Sequence, residues 1–309
     1  MSTRSDKPPV LLLVNPTSGH GTARQLARQM QRALEGIAAE IETFESRGPG
    51  DITERAGAVR DASTVLLVVG GDGTVREVID GLSVAAPVAF LPSGSANVLA
   101  TELGLPRTPQ GVARLITQGN RRLLDTGSIA NSDSQQRGDG PPVDHTFFLM
   151  VGAGIDGRIV RRVHAHRHGG TLGKLRYVRP IIDELVTYRT VDHWVELDSG
   201  TRCGPFAEVI VANARSYGGF WKLPAQIVMG DGWLDVLGFR AAGRTALFWH
   251  AIRGIGNCLT PGATLFHARV RNVRITADSA SPLQADGDPC GACPCEIRIR
   301  PASIRLLVP

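Results

Sequence analysis

Aromatic side chains are scarce in this 309-residue sequence, at 5%, and only five cysteines and four methionines occur. So few cysteines argue for reduced thiols and against the disulfide framework of a small secreted scaffold. No run of about 18 apolar residues is present, so no membrane-spanning helix is expected. Residues 1–9 lack the hydrophobic segment of a signal peptide, and a cytoplasmic location is the expectation. No internal repeat is evident. One stretch also lacks acidic residues: from Arg158 to Arg179 the chain carries seven basic side chains and three histidines, but no Asp or Glu. Such a segment suits anionic lipid headgroups, at about 1 kcal/mol per basic residue near the surface, and suits a solvated loop equally well. Nucleic acid is not expected as a partner, because Tyr177 is the single aromatic there and no nucleic-acid motif accompanies it. What is present, 42% hydrophobic and 20% charged residues with a net charge of +5, describes a globular chain long enough for two domains.

The densest signal is Val65–Val69 followed by Gly70, Gly71, Asp72, Gly73 and Thr74. A buried strand empties into a glycine turn bearing one carboxylate, and a helix follows. Glycines let backbone N–H groups approach phosphate oxygens, a helix N-terminus favours negative charge, and Asp72 can hold the Mg²⁺ that travels with a nucleotide. Alone, the turn is equally an ordinary strand-to-helix connection. Two companions change the balance. Val10–Val14 ends in Asn15, Pro16, Thr17, Ser18 and Gly19, and Val88–Leu91 ends in Pro92, Ser93, Gly94, Ser95, Ala96 and Asn97, with Ser95 a candidate helix cap. Three loops of one chemical type at the carboxyl ends of parallel strands form a ligand site.

Strands expected at 10–14, 41–44, 65–69 and 87–91 alternate with helices at 22–35, 74–82, 95–103 and one opened by Thr108-Pro109. This alternation predicts an α/β domain with a mostly parallel sheet over 8–126. Beyond it, short strands at 147–151, 194–197, 209–212, 234–239, 270–275 and 297–299, with a helix near 245–255, predict a β-rich antiparallel domain over 127–309. Residues 131–144 read as a long surface loop. The last strand, 303–308, belongs to either domain on sequence grounds.

These motifs, with Leu172-Gly173-Lys174-Leu175-Arg176-Tyr177, Gly230-Asp231-Gly232-Trp233 and Asp286-Gly287-Asp288-Pro289, resemble the diacylglycerol kinase catalytic domain family, which includes sphingosine and ceramide kinases and bacterial soluble lipid kinases. The glycine–aspartate turn alone is shared with NAD kinases and phosphofructokinases. The resemblance implies a NAD kinase/diacylglycerol kinase-like fold and an ATP- and Mg²⁺-dependent transfer of the γ-phosphoryl group to a hydroxyl of a diacylglycerol-like or sphingoid lipid. It assigns Asn15, Ser18, Gly70, Gly71, Asp72, Gly73, Thr74, Ser95 and Asn97 to the nucleotide, with Thr43 a further contact. Asp286 and Asp288 are both candidate bases, the family having glutamate where Asp288 stands. Asp231, with the carbonyls of Val228 and Trp233, resembles a structural Mg²⁺ site, or is another hairpin turn. Val98 stands where many bacterial relatives have aspartate, which leaves Asp72, with Asp125 a further candidate, to hold metal.

Gly152-Ala153-Gly154-Ile155-Asp156-Gly157 fits the dinucleotide-binding glycine pattern on its face, but no acid lies about twenty residues on. In lipid kinases a similar segment lies beside the headgroup, which makes Asp156 a candidate substrate contact. Cys290, Cys293 and Cys295 have spacings that Zn²⁺ accepts but lack a fourth ligand nearby. The partners expected are a lipid and, transiently, the inner face of a membrane; a homodimer is left open. The rivals are a NAD kinase-like phosphotransferase and a non-catalytic nucleotide or lipid sensor.

Overall fold

The structure is a computed structural model that describes residues 7–131, 145–165, 187, 190–218, 221–240 and 259–309. The 131–144 loop, the 245–255 helix, the 172–177 motif and most of the basic stretch beyond residue 165 lie outside those residues. The chain divides into two units, 1–124 with 302–309, and 125–301.

In the first unit β1 (Val10–Val14) lies parallel to β2 (Ile41–Glu45) on one side and to β3 (Val65–Gly70) on the other, and β3 continues to β4 (Pro87–Pro92). Every residue of β1, β3 and β4 is buried, as parallel strands covered on both faces require. Val10, Leu12, Val14, Leu67 and Val69 meet Ala23, Ala27, Met30 and Leu34 of α1 (Ala23–Leu34) and Val112, Ala113 and Ile116 of α5 (Pro109–Gln118). Thr108 caps α5 through its side chain, with Pro109 at the first helical position. Between them lie α2 (Asp51–Gly57), α3 (Asp72–Gly81) and α4 (Val98–Glu102). The seven-residue α2 was not legible, because two buried positions, Ile52 and Ala56, are too few to set a period.

The second unit is all but antiparallel. One sheet runs β14 (Leu265–Val270), β13 (Leu234–Phe239), β10 (Glu208–Ala212), β7 (Met150–Ala153), β16 (Pro282–Ala285), β17 (Asp288–Ala292). A second antiparallel set holds β15 (Asn272–Ala277) between β8 (His193–Leu197) and the start of β18 (Cys295–Leu307), with β9 (Arg202–Phe206) beyond β8. Val151, Val209, Val211, Val236 and Leu283 of the first sheet share one core with Val195, Val273, Ile275 and Ile297 of the second. Helix α6 (Ile155–Ala165) packs on β16 and β17.

Three expectations are corrected. The single strand at 270–275 is two strands that change sheets at Arg271, β14 pairing with β13 and β15 with β18 and β8. The strand at 147–151 is interrupted after Phe147, where β6 (His145–Phe147) ends, and resumes at Met150. The separate strands at 297–299 and 303–308 are one strand, whose Cys295–Arg298 segment pairs with β15 and whose Arg305 and Leu306 pair in parallel with Pro87 and Val88 of the first unit. Ala302, at a positive φ of 50°, marks where that strand passes between units.

Leu306 is fully buried. Leu306→Ala should cost about 2–5 kcal/mol of stability, as core truncations of this kind do, read as a shift in the denaturant midpoint of a probe in the first unit. A shift confined to the second unit would place the C-terminal residues wrongly.

Candidate active site

The three glycine-bearing loops of the first unit meet at the ends of β1, β3 and β4. Asn15 Nδ2 donates to Thr74 Oγ1 at 3.3 Å, and Ser93 Oγ donates to Ser18 Oγ at 3.0 Å. The backbone N–H groups of Ser93 and Gly94 both reach the Gly70 carbonyl, at 2.7 and 3.1 Å. Glycine is what permits the approach: a Cβ on Gly94 would lie 2.7 Å from Gly71 Cα, and one on Gly19 would lie 2.2 Å from the Ser93 carbonyl oxygen.

Asp72 joins two of the loops. Its carboxylate accepts from the backbone N–H of Val98 at 2.9 Å and of Leu99 at 3.2 Å. These are the orphan donors of the first turn of α4. Ser95, expected to cap this helix, is exposed; Asn97 occupies the cap position with φ +48° and makes no side-chain cap bond. The reason is geometric, since the Asp72 carboxylate already fills the place where a capping oxygen would sit. Burial raises the pKa of Asp72, more than its backbone donors lower it. Asn97 Nδ2 donates to the Gly94 carbonyl at 2.6 Å, while its Oδ1 is buried with no hydrogen-bond partner among the described residues. The Asp72 carboxylate and the Asn97 amide oxygen, unpartnered among the described residues, are hard oxygen donors of the kind that fit a divalent cation.

Beside this cluster a groove of about 1250 Å³ is lined by Asn15, Thr17, Thr43, Ser46, Asp51 and Glu77, among others. Asp51 Oδ2 accepts from Arg47 N and Gly48 N, and Glu77 Oε2 from Gly50 N. Thr43 Oγ1 also accepts from Gln31 Nε2 at 2.8 Å.

In the second unit Asp286 and Gly287 form a two-residue hairpin between β16 and β17, with φ of +51° and +88°. Both positive values are those of a type I′ turn. The Asp286 carboxylate accepts from the backbone N–H of Phe148, Leu149 and Met150, each at 2.9 Å. It thereby holds the irregular stretch between β6 and β7. Asp288 opens β17, half-buried.

A second acidic cluster surrounds Asp156, in the first turn of α6. Its Oδ2 accepts from Gln284 Nε2 at 2.7 Å, and it bonds the Tyr217 hydroxyl. Glu208 Oε2 accepts from Ile155 N at 2.6 Å, whereas Glu208 Oε1 is buried without a hydrogen-bond partner among the described residues. Burial and then the neighbouring Asp156 hold the Glu208 pKa well above its ordinary value. The glycines of the dinucleotide-like pattern make room for these groups. A Cβ on Gly152 would lie 2.2 Å from Asp156 Oδ2, one on Gly154 2.2 Å from Glu208 Oε2, and one on Gly157 2.0 Å from the Pro282 carbonyl oxygen.

Residues 9–129 match the family described as diacylglycerol kinase catalytic domain, and residues 149–308 the one described as YegS C-terminal NAD kinase beta sandwich-like domain. The chain belongs to the diacylglycerol kinase catalytic domain family. A Mycobacterium tuberculosis protein named diacylglycerol kinase is 27% identical over 97% of this chain and 95% of its own length. A Bacillus subtilis protein of the same name is 24% identical over 92% and 91%. A crystal structure of a diacylglycerol kinase from Bacillus anthracis aligns with a TM-score of 0.73, covering 99% of this chain and 98% of that one at 21% identity, and so shares the fold. Membership makes this protein a kinase for a lipid alcohol, of a family that implies ATP and a divalent metal.

Within a diacylglycerol kinase-like chain the remaining metal candidates are less open. Asp231 is ion-paired with Arg269 and accepts from Trp233 N at 3.1 Å, and Val228 is 45% exposed. Asp125 is buried and accepts from Gly232 N at 2.7 Å. Cys290, Cys293 and Cys295 are buried in the core of the second unit. Among the described residues no three His, Cys, Asp or Glu side chains are grouped to hold a metal. Sequence reasoning missed Ser93, Glu208, Tyr217 and Gln284. Glu208 and Gln284 had no local motif, because their partners lie 53 and 128 residues away.

Two outcomes follow from this geometry. Gly94→Ala should weaken nucleotide binding at least about tenfold, since 1.4 kcal/mol of loop displacement is enough, with far-UV CD unchanged; titration calorimetry reads the loss. Because native Glu208 holds its proton more tightly than the unfolded chain, stability falls as pH rises from 4.5, the ordinary glutamate value, toward the raised native one. Glu208→Gln should flatten that fall, measured by urea unfolding between pH 4 and 8.

Proposed function

We propose that this protein transfers the γ-phosphoryl group of ATP to a hydroxyl of a diacylglycerol-like or sphingoid lipid. The observation that carries the reading is the meeting of the three glycine and hydroxyl loops around Asp72 and Asn97. In this reading the backbone amides of Gly70–Thr74 and the hydroxyls of Ser18 and Thr74 cradle the phosphates, and the groove that holds Asn15 and Thr43 takes the nucleoside. A divalent metal, when bound, neutralises charge on the transferring group; Asp72 and Asn97 would hold it.

Asp288 is the better base. Asp286 already accepts three backbone donors, so its work is to fix the turn. Asp288 takes the proton of the lipid hydroxyl as that oxygen bonds to the γ-phosphorus and the bond to the β,γ-bridging oxygen breaks, giving ADP and a lipid phosphate. Asp156, half-buried at the start of α6, contacts the headgroup. The lipid is reached at the inner face of a membrane by a protein in which no described helix is long and apolar enough to cross one.

Purified protein incubated with γ-labelled ATP, Mg²⁺ and a mixed lipid extract should yield labelled lipid phosphate. Labelled NADP from NAD, or nucleotide binding with no labelled product, would overturn the reading. Asp288→Asn should lower kcat by about a hundredfold, the low end of general-base effects, while leaving the nucleotide KM in place. An unchanged kcat would move the base elsewhere.

A further inference from the structure

Gln284 sits in the middle of β16, 3% exposed. It points away from the core that holds its neighbours Leu283 and Ala285, because side chains alternate along a strand. Both ends of its amide are used. Nε2 donates to Asp156 Oδ2 at 2.7 Å, and Oε1 accepts from Gly287 N at 2.8 Å. Gly287 N is the inner amide of the two-residue turn, which the strand ladder leaves unpaired. Across the sheet Gln284 faces Gly152, and that missing side chain is the slot through which Asp156 reaches it.

We propose that Gln284 is a positioning residue that couples the headgroup carboxylate, Asp156, to the turn carrying the base, Asp288. The inference rests on the lipid kinase reading above. Only a side chain with a donor and an acceptor on one planar group makes both bonds. Glutamine therefore fixes the distance and angle between the group that holds the lipid and the backbone that aims the base. The two bonds have separate kinetic signatures. Loss of the Asp156 bond frees the headgroup contact and raises the lipid KM; loss of the Gly287 bond frees the turn and lowers kcat.

Two variants separate them. Gln284→Glu keeps an acceptor for Gly287 but sets a second carboxyl group against Asp156, and is assayed at a pH high enough that the pair no longer shares a proton. Gln284→Leu removes both bonds at similar volume. The full-length protein is assayed with Mg²⁺-ATP and whichever lipid the wild type phosphorylates, in mixed micelles. Gln284→Glu should raise the lipid KM about ten- to hundredfold, the range for a buried group left without its partner, with kcat within about threefold of wild type. Gln284→Leu should raise that KM and also lower kcat about tenfold or more, again the size of one lost buried bond. The ATP KM should not move in either. A merely structural glutamine would lower the active fraction of both variants alike and leave both KM values in place; that result overturns the proposal, as does wild-type behaviour of either. Should Gln284→Leu fail to fold, the KM-against-kcat split in Gln284→Glu decides alone. A wild type that phosphorylates no lipid overturns the functional reading and this inference with it, whereas an active wild type with unsplit variants overturns only the inference.

Discussion

The loops at the ends of β1, β3 and β4 depend on one half-buried carboxylate. Asp72 leaves the glycine turn after β3 and takes the first two free N–H groups of α4. It thereby ties the second glycine loop to the third. Hydrogen bonds to a charged group are worth about 1.5–3 kcal/mol each, while removing a carboxylate from water costs several kcal/mol. The raised pKa says that desolvation is the larger here. The glycines packed against one another at Gly71 and Gly94 bring the same two loops together.

The second unit repeats the device. Asp286 holds Phe148, Leu149 and Met150 by their amides, and Asp125 holds Gly232. In each case a carboxylate fixes a stretch of backbone that no ladder or helix satisfies, as buried amides require. Asp286, the conspicuous acid of its glycine–aspartate turn, is thus tied up in holding backbone.

Much of the fold could be read in the sequence because its determinants are local. Val10–Val14, Val65–Val69 and Val88–Leu91 are apolar runs ended by turn residues, and the structure makes each a wholly buried parallel strand. The second unit was harder. Arg271 turns the chain from one sheet to another inside what reads as a single strand, and β18 serves both units through one positive φ at Ala302. Neither event leaves a mark in periodicity. The acidic cluster is half legible: Gly152, Gly154 and Asp156 match a cofactor pattern, yet their spacing answers to the packing of Glu208 and Gln284, which no local pattern announces.

Val98 bears on how many charges the proposed phosphate site would need. The resemblance favours an aspartate there, but Val98 is 7% exposed in α4 and its N–H is already taken by Asp72. A carboxylate at that position would be a buried anion next to the Asp72 carboxylate, costly without a partner. Mg²⁺ is commonly held by one or two carboxylates plus substrate phosphates, keeping several of its waters. In the proposed reading, one carboxylate at Asp72 and one neutral oxygen at Asn97 would meet that need, with the phosphates supplying the rest.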